Sequence, residues 1–138
     1  MTDFIAPLLA ELDKNSVVLI AVSKKQTIEK IKNIYNQGVR HFGENYLQEA
    51  LPKIENLKNL NPEITWHFIG PIQSNKTAEI ARNFDWVHSI DRLKIAQRLS
   101  DQRPEWLPKL NIFIQVNIDR EESKSGVLPE NLINLIKQ

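Results

Sequence analysis

Five apolar runs recur along the chain, each followed by a helical pattern, and that alternation limits the fold more than any other feature. The runs cover 17–22, 39–42, 64–69, 86–90 and 112–118, and they favour β-branched and aromatic residues suited to strands. The segment 27–37 carries Ile28, Ile31, Ile34 and Tyr35 on one helical face and stops at Gly38. The segment 44–57 carries Tyr46, Leu47, Ala50, Ile54 and Leu57, with Pro52 expected to kink or shorten it. Helices over 74–83 and 91–100 are expected to open at the N-caps Ser74 and Asp91. Pro129 suits the first turn of a last helix, and the first dozen residues read as a leading helix. The connection 100–109 reads as a surface loop pinned by Trp106. Strict alternation predicts an α/β fold with a parallel sheet and right-handed crossovers.

Two architectures satisfy five β-α units. An open doubly wound sheet can be complete at five strands, whereas a (βα)8 barrel needs about 200 residues or more. The chain has 138 residues, and N-L-I-N-L-I-K-Q breaks off within a helical pattern without a capping glycine. The barrel reading therefore takes the chain as the first five βα units plus a leading helix.

Candidate chemistry collects at the ends of the runs, where barrels and open sheets hold ligands. The first run, V-V-L-I-A-V-S-K, is expected to be a strand buried on both faces. Alternation sets Val18, Ile20, Val22 and Lys24 on one side and Val17, Leu19, Ala21 and Ser23 on the other. Lys24 at such a strand end either reaches into water or carries chemistry. Asn45 follows Gly43 at a strand-to-helix turn and either caps the helix or faces a ligand. His67, in the third run, is either a satisfied core histidine or a site residue; His41 and His88 are weaker candidates. Gln115 and Asn117 share one strand face, where each amide needs a partner, and Asn117 lies nearer the ligand end. S-K-S-G at 123–126 reads as a mobile loop with donors suited to an anion.

Composition removes several classes. With 18 basic and 17 acidic residues the net charge is +1, which gives no electrostatic case for nucleic acid or an acidic membrane. There is no cysteine, and the three histidines lack metal-ligand spacing. No apolar run reaches the ~18 residues of a membrane span. Asp3 and the missing basic segment speak against a secretion signal, so a cytoplasmic protein is expected. Neither G-x-G-x-x-G nor G-x-x-x-x-G-K-[ST] occurs.

A-V-S-K (21–24), F-G-E-N-Y (42–46), W-H-F-I-G-P-I-Q-S-N-K (66–76), D-W-V-H-S-I-D-R (85–92) and S-K-S-G (123–126) stand in an order and spacing that resembles the pyridoxal phosphate homeostasis proteins. The resemblance implies a TIM-type barrel like the N-terminal domain of alanine racemase, with pyridoxal 5'-phosphate (PLP) held as a Schiff base on Lys24. It implies Asn45 beside the cofactor ring and Lys124 as a second lysine of the site. It implies no catalytic residue: the expected activity is cofactor carriage and homeostasis without efficient turnover. PLP and PLP-dependent apo-enzymes are the expected partners, with a monomeric full-length form. The family's phosphate-holding segments, S-x-G-M-S and R-I-G-x-x-I-F-G, do not occur in these 138 residues. Three rivals stand beside the carrier: a racemase-type PLP enzyme, a Schiff-base aldolase and a fragment that binds no carbonyl compound.

Overall fold

Ile20, Ala21 and Val22 pair in parallel register with His41, Phe42 and Gly43 in a computed structural model that describes residues 4–60 and 63–138. Asp3 lies outside the described residues. Contacts divide the chain into two compact units, with the boundary between Trp66 and His67.

The first unit contains α1 (Ile5–Lys14), β1 (Ile20–Val22), α2 (Ile28–Asn36), β2 (His41–Glu44), α3 (Leu47–Asn56) and the start of β3 (Thr65–Phe68). Thr27 caps α2, its hydroxyl accepting from the Lys30 amide at 3.2 Å, and Gly38 beyond the helix takes a φ of 108°. Ile31, Tyr35, Val39, Phe42, Leu47, Ala50, Ile54, Leu57 and Trp66 form its buried core. Each such large side chain contributes about 1.5–3 kcal/mol of burial. Phe42 and Trp66 meet with ring centroids 6.0 Å apart.

The second unit continues from the end of β3 through α4 (Thr77–Asn83), β4 (Trp86–Ile90), α5 (Leu93–Gln102), β5 (Asn111–Ile114) and α6 (Leu132–Lys137). β3 pairs with β4, and β4 with β5, both in parallel. Phe68, Ile80, Phe84, Val87, Ile90, Ile95 and Leu99 fill its core. Along the sheet the strand order is β1-β2-β3-β4-β5, sequence order throughout.

Several expectations are corrected. β1 is not a strand buried on both faces: it starts only at Ile20, and Val18 and Val22 are 59% and 53% exposed. As the first strand in the order it has one neighbour, and of the row that leads to Lys24 only Ile20 is partly covered. β2 lies two residues later than 39–42, because the pairing starts at Ile20 with His41 and Glu44 is carried inside as a buried strand residue. Pro52 does not cut α3 short at its own position; the helix runs through it to Asn56, and the Gln48 carbonyl that loses its amide donor belongs to an exposed residue.

Ser74 and Asp91 do not cap their helices through their side chains. α4 follows a single 3-10 turn at Ser74–Lys76, and α5 starts after Arg92 without a side-chain cap. The Asp91 carboxylate accepts from the Gly126 amide instead, at 3.1 Å. The run 112–118 is a strand only as far as Ile114. The chain then forms a bridge between Val116 and Val127, so Gln115 and Asn117 leave the strand. Trp106 does not pin its loop, being 77% exposed. Arg103 does, donating to the Ala81, Phe84 and Pro108 carbonyls at 2.7, 2.6 and 2.9 Å.

Candidate functional site

In the first unit, Lys24 and Asn45 occupy equivalent places on neighbouring strands. Val22 is the register partner of Gly43, and each site residue lies two positions beyond. Lys24 is exposed at the first position of the turn after β1. Asn45 does not cap α3, which has no side-chain cap. Its Oδ1 is buried and has no hydrogen-bond partner among the described residues. A buried acceptor left unsatisfied costs about 1–3 kcal/mol, so the position is one that a ligand donor would stabilise.

Beneath the Lys24 turn lies a polar cluster that the sequence reading missed. Glu44 is fully buried, Ser23 and Lys53 are 3% and 6% exposed. The Lys53 ammonium donates to the Ser23 carbonyl at 2.8 Å, to both Glu44 carboxylate oxygens at 3.2 and 3.1 Å and to Glu49 Oε1 at 2.7 Å. The Ser23 hydroxyl donates to Glu44 Oε2, and the Lys25 amide donates to Glu49 Oε1. The hydrogen bond from Lys53, with smaller help from the Lys25 amide and the lysine charges, outweighs desolvation and holds the Glu49 carboxyl below its ordinary value. Removing one partner of the Glu44–Lys53 pair would strand a buried charge at a cost of about 3–5 kcal/mol. One sequence signal could have found the cluster: a glutamate closing a buried strand needs a cation, and Glu49 and Lys53 are spaced i,i+4 on the next helix.

A cavity of about 390 Å³ lies against β1, lined by Ala21, Val22, Ser23, Ile31, Ile34 and Phe42 among others. Lys24 does not line it, and its walls are mostly apolar, so it belongs to the packing of β1 on α2.

In the second unit, His67 is buried, and its Nδ1 meets His88 Nε2 at 2.9 Å. Trp86 stacks on His67 at 5.8 Å and on Phe113 at 5.3 Å. Phe113 also meets His88 edge-on at 4.9 Å. Desolvation pushes His88 below its ordinary imidazole value. Asn117 and Lys124 come together through the backbone of their loop. Asn117 Nδ2 donates to the Glu121 carbonyl at 2.8 Å, and its amide donates to the Val127 carbonyl at 2.8 Å. The Lys124 side chain is 71% exposed and 3.8 Å from Glu121 Oε2. Gly126, at φ 121°, has space for no side chain: an added Cβ would stand 2.7 Å from the Asn117 nitrogen.

Comparison with known proteins places these features in a family context. Residues 8–138 match the family model of the alanine racemase N-terminal domain. A pyridoxal phosphate homeostasis protein of Pseudomonas aeruginosa is 58% identical over 120 residues, covering 87% of this chain and 51% of that protein. The chain thus spans about half the length of the curated relatives it matches. Among solved structures, PipY of Synechococcus elongatus PCC7942 without PLP superposes with a TM-score of 0.85 at 39% identity, covering 97% of this chain and 63% of that one. The PLP-bound form of PipY gives a TM-score of 0.80 over the same shares. Alanine racemase of Corynebacterium glutamicum, at 19% identity and a TM-score of 0.62, covers 96% of this chain and 38% of that one, and shares the fold.

Proposed function

The chain belongs to the alanine racemase N-terminal domain family, and on that premise we propose that it binds PLP at Lys24 as a cytoplasmic carrier in cofactor homeostasis, without efficient turnover of its own. The observation that carries the reading is the pairing of an exposed strand-end amine, Lys24, with the unsatisfied buried oxygen of Asn45 at the equivalent place on the next strand. The two residues fit the cofactor's chemistry. An amine condenses with its aldehyde, releasing one water, and an amide oxygen accepts from a hydroxyl or protonated ring nitrogen. When bound, PLP supplies an electron sink for amino-acid chemistry.

This chain's own residues do the holding. Lys24 provides covalent attachment, Asn45 takes one polar group out of water, and the Ser23–Glu44–Lys53 cluster keeps the turn beneath them in place. The PLP bound in PipY and the name of the Pseudomonas relative support a carrier. A racemase additionally needs acid and base groups on both faces of a substrate carbon. PLP-dependent apo-enzymes are the recipients on this reading. For His67, Asn117 and Lys124, in the second unit, a part in binding is a separate proposal, tested one residue at a time by the same titration.

The test is a spectrophotometric titration with PLP, followed by borohydride reduction and mass mapping of the modified lysine. Lys24→Ala is expected to remove most of the visible absorbance of the bound cofactor, and Lys25→Ala to leave it. Equal loss in both variants, or label on neither lysine, would overturn the assignment.

A further inference from the structure

We propose that Lys53 is the positioning residue for Lys24, acting through the backbone on either side of it. The inference rests on the reading of Lys24 as the attachment lysine. Ser23, which precedes Lys24, gives its carbonyl to the Lys53 ammonium at 2.8 Å and to the Gln26 amide at 3.1 Å. Its own amide donates to the Gly43 carbonyl at 2.9 Å. Lys25, which follows, donates its amide to Glu49 Oε1, the same oxygen that receives Lys53 at 2.7 Å. One ammonium therefore anchors both neighbours of Lys24, one directly and one through a single carboxylate.

The turn needs such an anchor. Lys25 sits at φ 60°, a left-handed conformation that a residue with a side chain leaves readily unless its surroundings hold it. The Lys24 side chain has four rotatable bonds, so the place of its amine is defined chiefly by where the backbone launches it. A reacting group held within a narrow range of positions gains rate that a freely swinging one forgoes. The cluster also explains why α3 carries a lysine on its buried face. A purely structural position there would take an apolar residue, since a buried ion pair adds little net stability over well-packed hydrophobic side chains.

The experiment compares the parent chain with two variants. Glu49→Ala removes the carboxylate that links Lys53 to the Lys25 amide, 29% exposed, and leaves Ser23, Glu44 and Lys53 joined. The double variant Glu44→Gln, Lys53→Met removes the buried charges together. Each is read by the rate of borohydride-trapped PLP attachment, by the ratio of label on Lys24 to label on Lys25, and by hydrogen exchange of the Lys25 amide without PLP. In Glu49→Ala the Lys25 amide is expected to exchange at least about tenfold faster, with attachment at Lys24 slowed by about tenfold and label spreading to Lys25. The double variant is expected to slow attachment further, and Glu49→Ala to keep a single cooperative thermal transition at a midpoint only slightly below that of the parent. Unchanged attachment rate and label ratio in Glu49→Ala, with the Lys25 amide released, would overturn the positioning role while leaving Lys24 as the attachment site. A parent chain that carries no label on Lys24 would overturn the underlying assignment and this inference with it.

Discussion

His67 Nδ1 and His88 Nε2 stand 2.9 Å apart, so one ring must donate and the other accept, and both cannot be protonated without losing the bond. Burial holds His88 below its ordinary value of 6.5. The native state therefore stays neutral at a pH where the unfolded chain already binds a proton. Stability is fully present above about pH 6.5 and falls as the pH drops from there through the lower native value. Urea unfolding between pH 7.5 and 5 should show this loss, and His88→Phe should flatten it. An NMR titration that places His88 at or above 6.5 would refute the assignment.

Glu49 titrates in the same direction at lower pH. Its carboxyl is held below the ordinary 4.5, first by the hydrogen bond from Lys53. Its contribution is complete above about pH 4.5 and disappears as the pH falls through the depressed native value. The Lys25 amide, bonded to this carboxylate, should report it: its protection from exchange persists at pH 4.5 and is lost on further acidification. Loss of protection well above pH 4.5 would contradict the geometry.

Gly126→Ala should destabilise the loop after β5. The new methyl would meet the Asn117 nitrogen at 2.7 Å and the Val116 carbonyl carbon at 3.0 Å, both backbone, at a φ of 121°. Strain of this kind costs about 1–3 kcal/mol. Chemical denaturation measures it, and a variant within about 0.5 kcal/mol of the parent, the usual span of neutral surface changes, would show that the loop shifts freely.

Arg103 and Trp106 should exchange the importance their residue types imply. Arg103→Met removes three hydrogen bonds to backbone carbonyls and is expected to cost at least about 1.5–3 kcal/mol, the range for a single bond to a charged group. Trp106→Ala, at a side chain mostly in water, should stay within about 0.5 kcal/mol. The reverse ranking in thermal or urea melts would restore the tryptophan as the anchor.

The strands and most helices were legible because hydrophobic period reports them directly: β4 coincides with 86–90, and α2 fills 27–37 to within a residue at each end. The ends of β1, β2 and β5 were not, since pairing partners set them. Val17 and Val18 have strand-forming side chains, but the pairing begins at Ile20. Lys24 and Asn45 could be singled out from their places after apolar runs, and the geometry leaves Asn45 with the unsatisfied oxygen. The cluster beneath them was invisible to periodicity. Glu44, Glu49 and Lys53 look like solvated charges to periodicity alone, and the docking of α3 buries two of them.

The bond from Lys53 to the Ser23 carbonyl spans 30 residues of chain, and this separation orders events in time. Closing so long a loop is entropically costly and follows local helix formation. During synthesis from the N-terminus, Lys24 emerges well before the lysine that anchors its turn. A nascent chain holding only the first strand and helix would carry the amine without a defined launching point. On the proposed reading of Lys24, its launching point is set only once α3 docks and Lys53 reaches the Ser23 carbonyl.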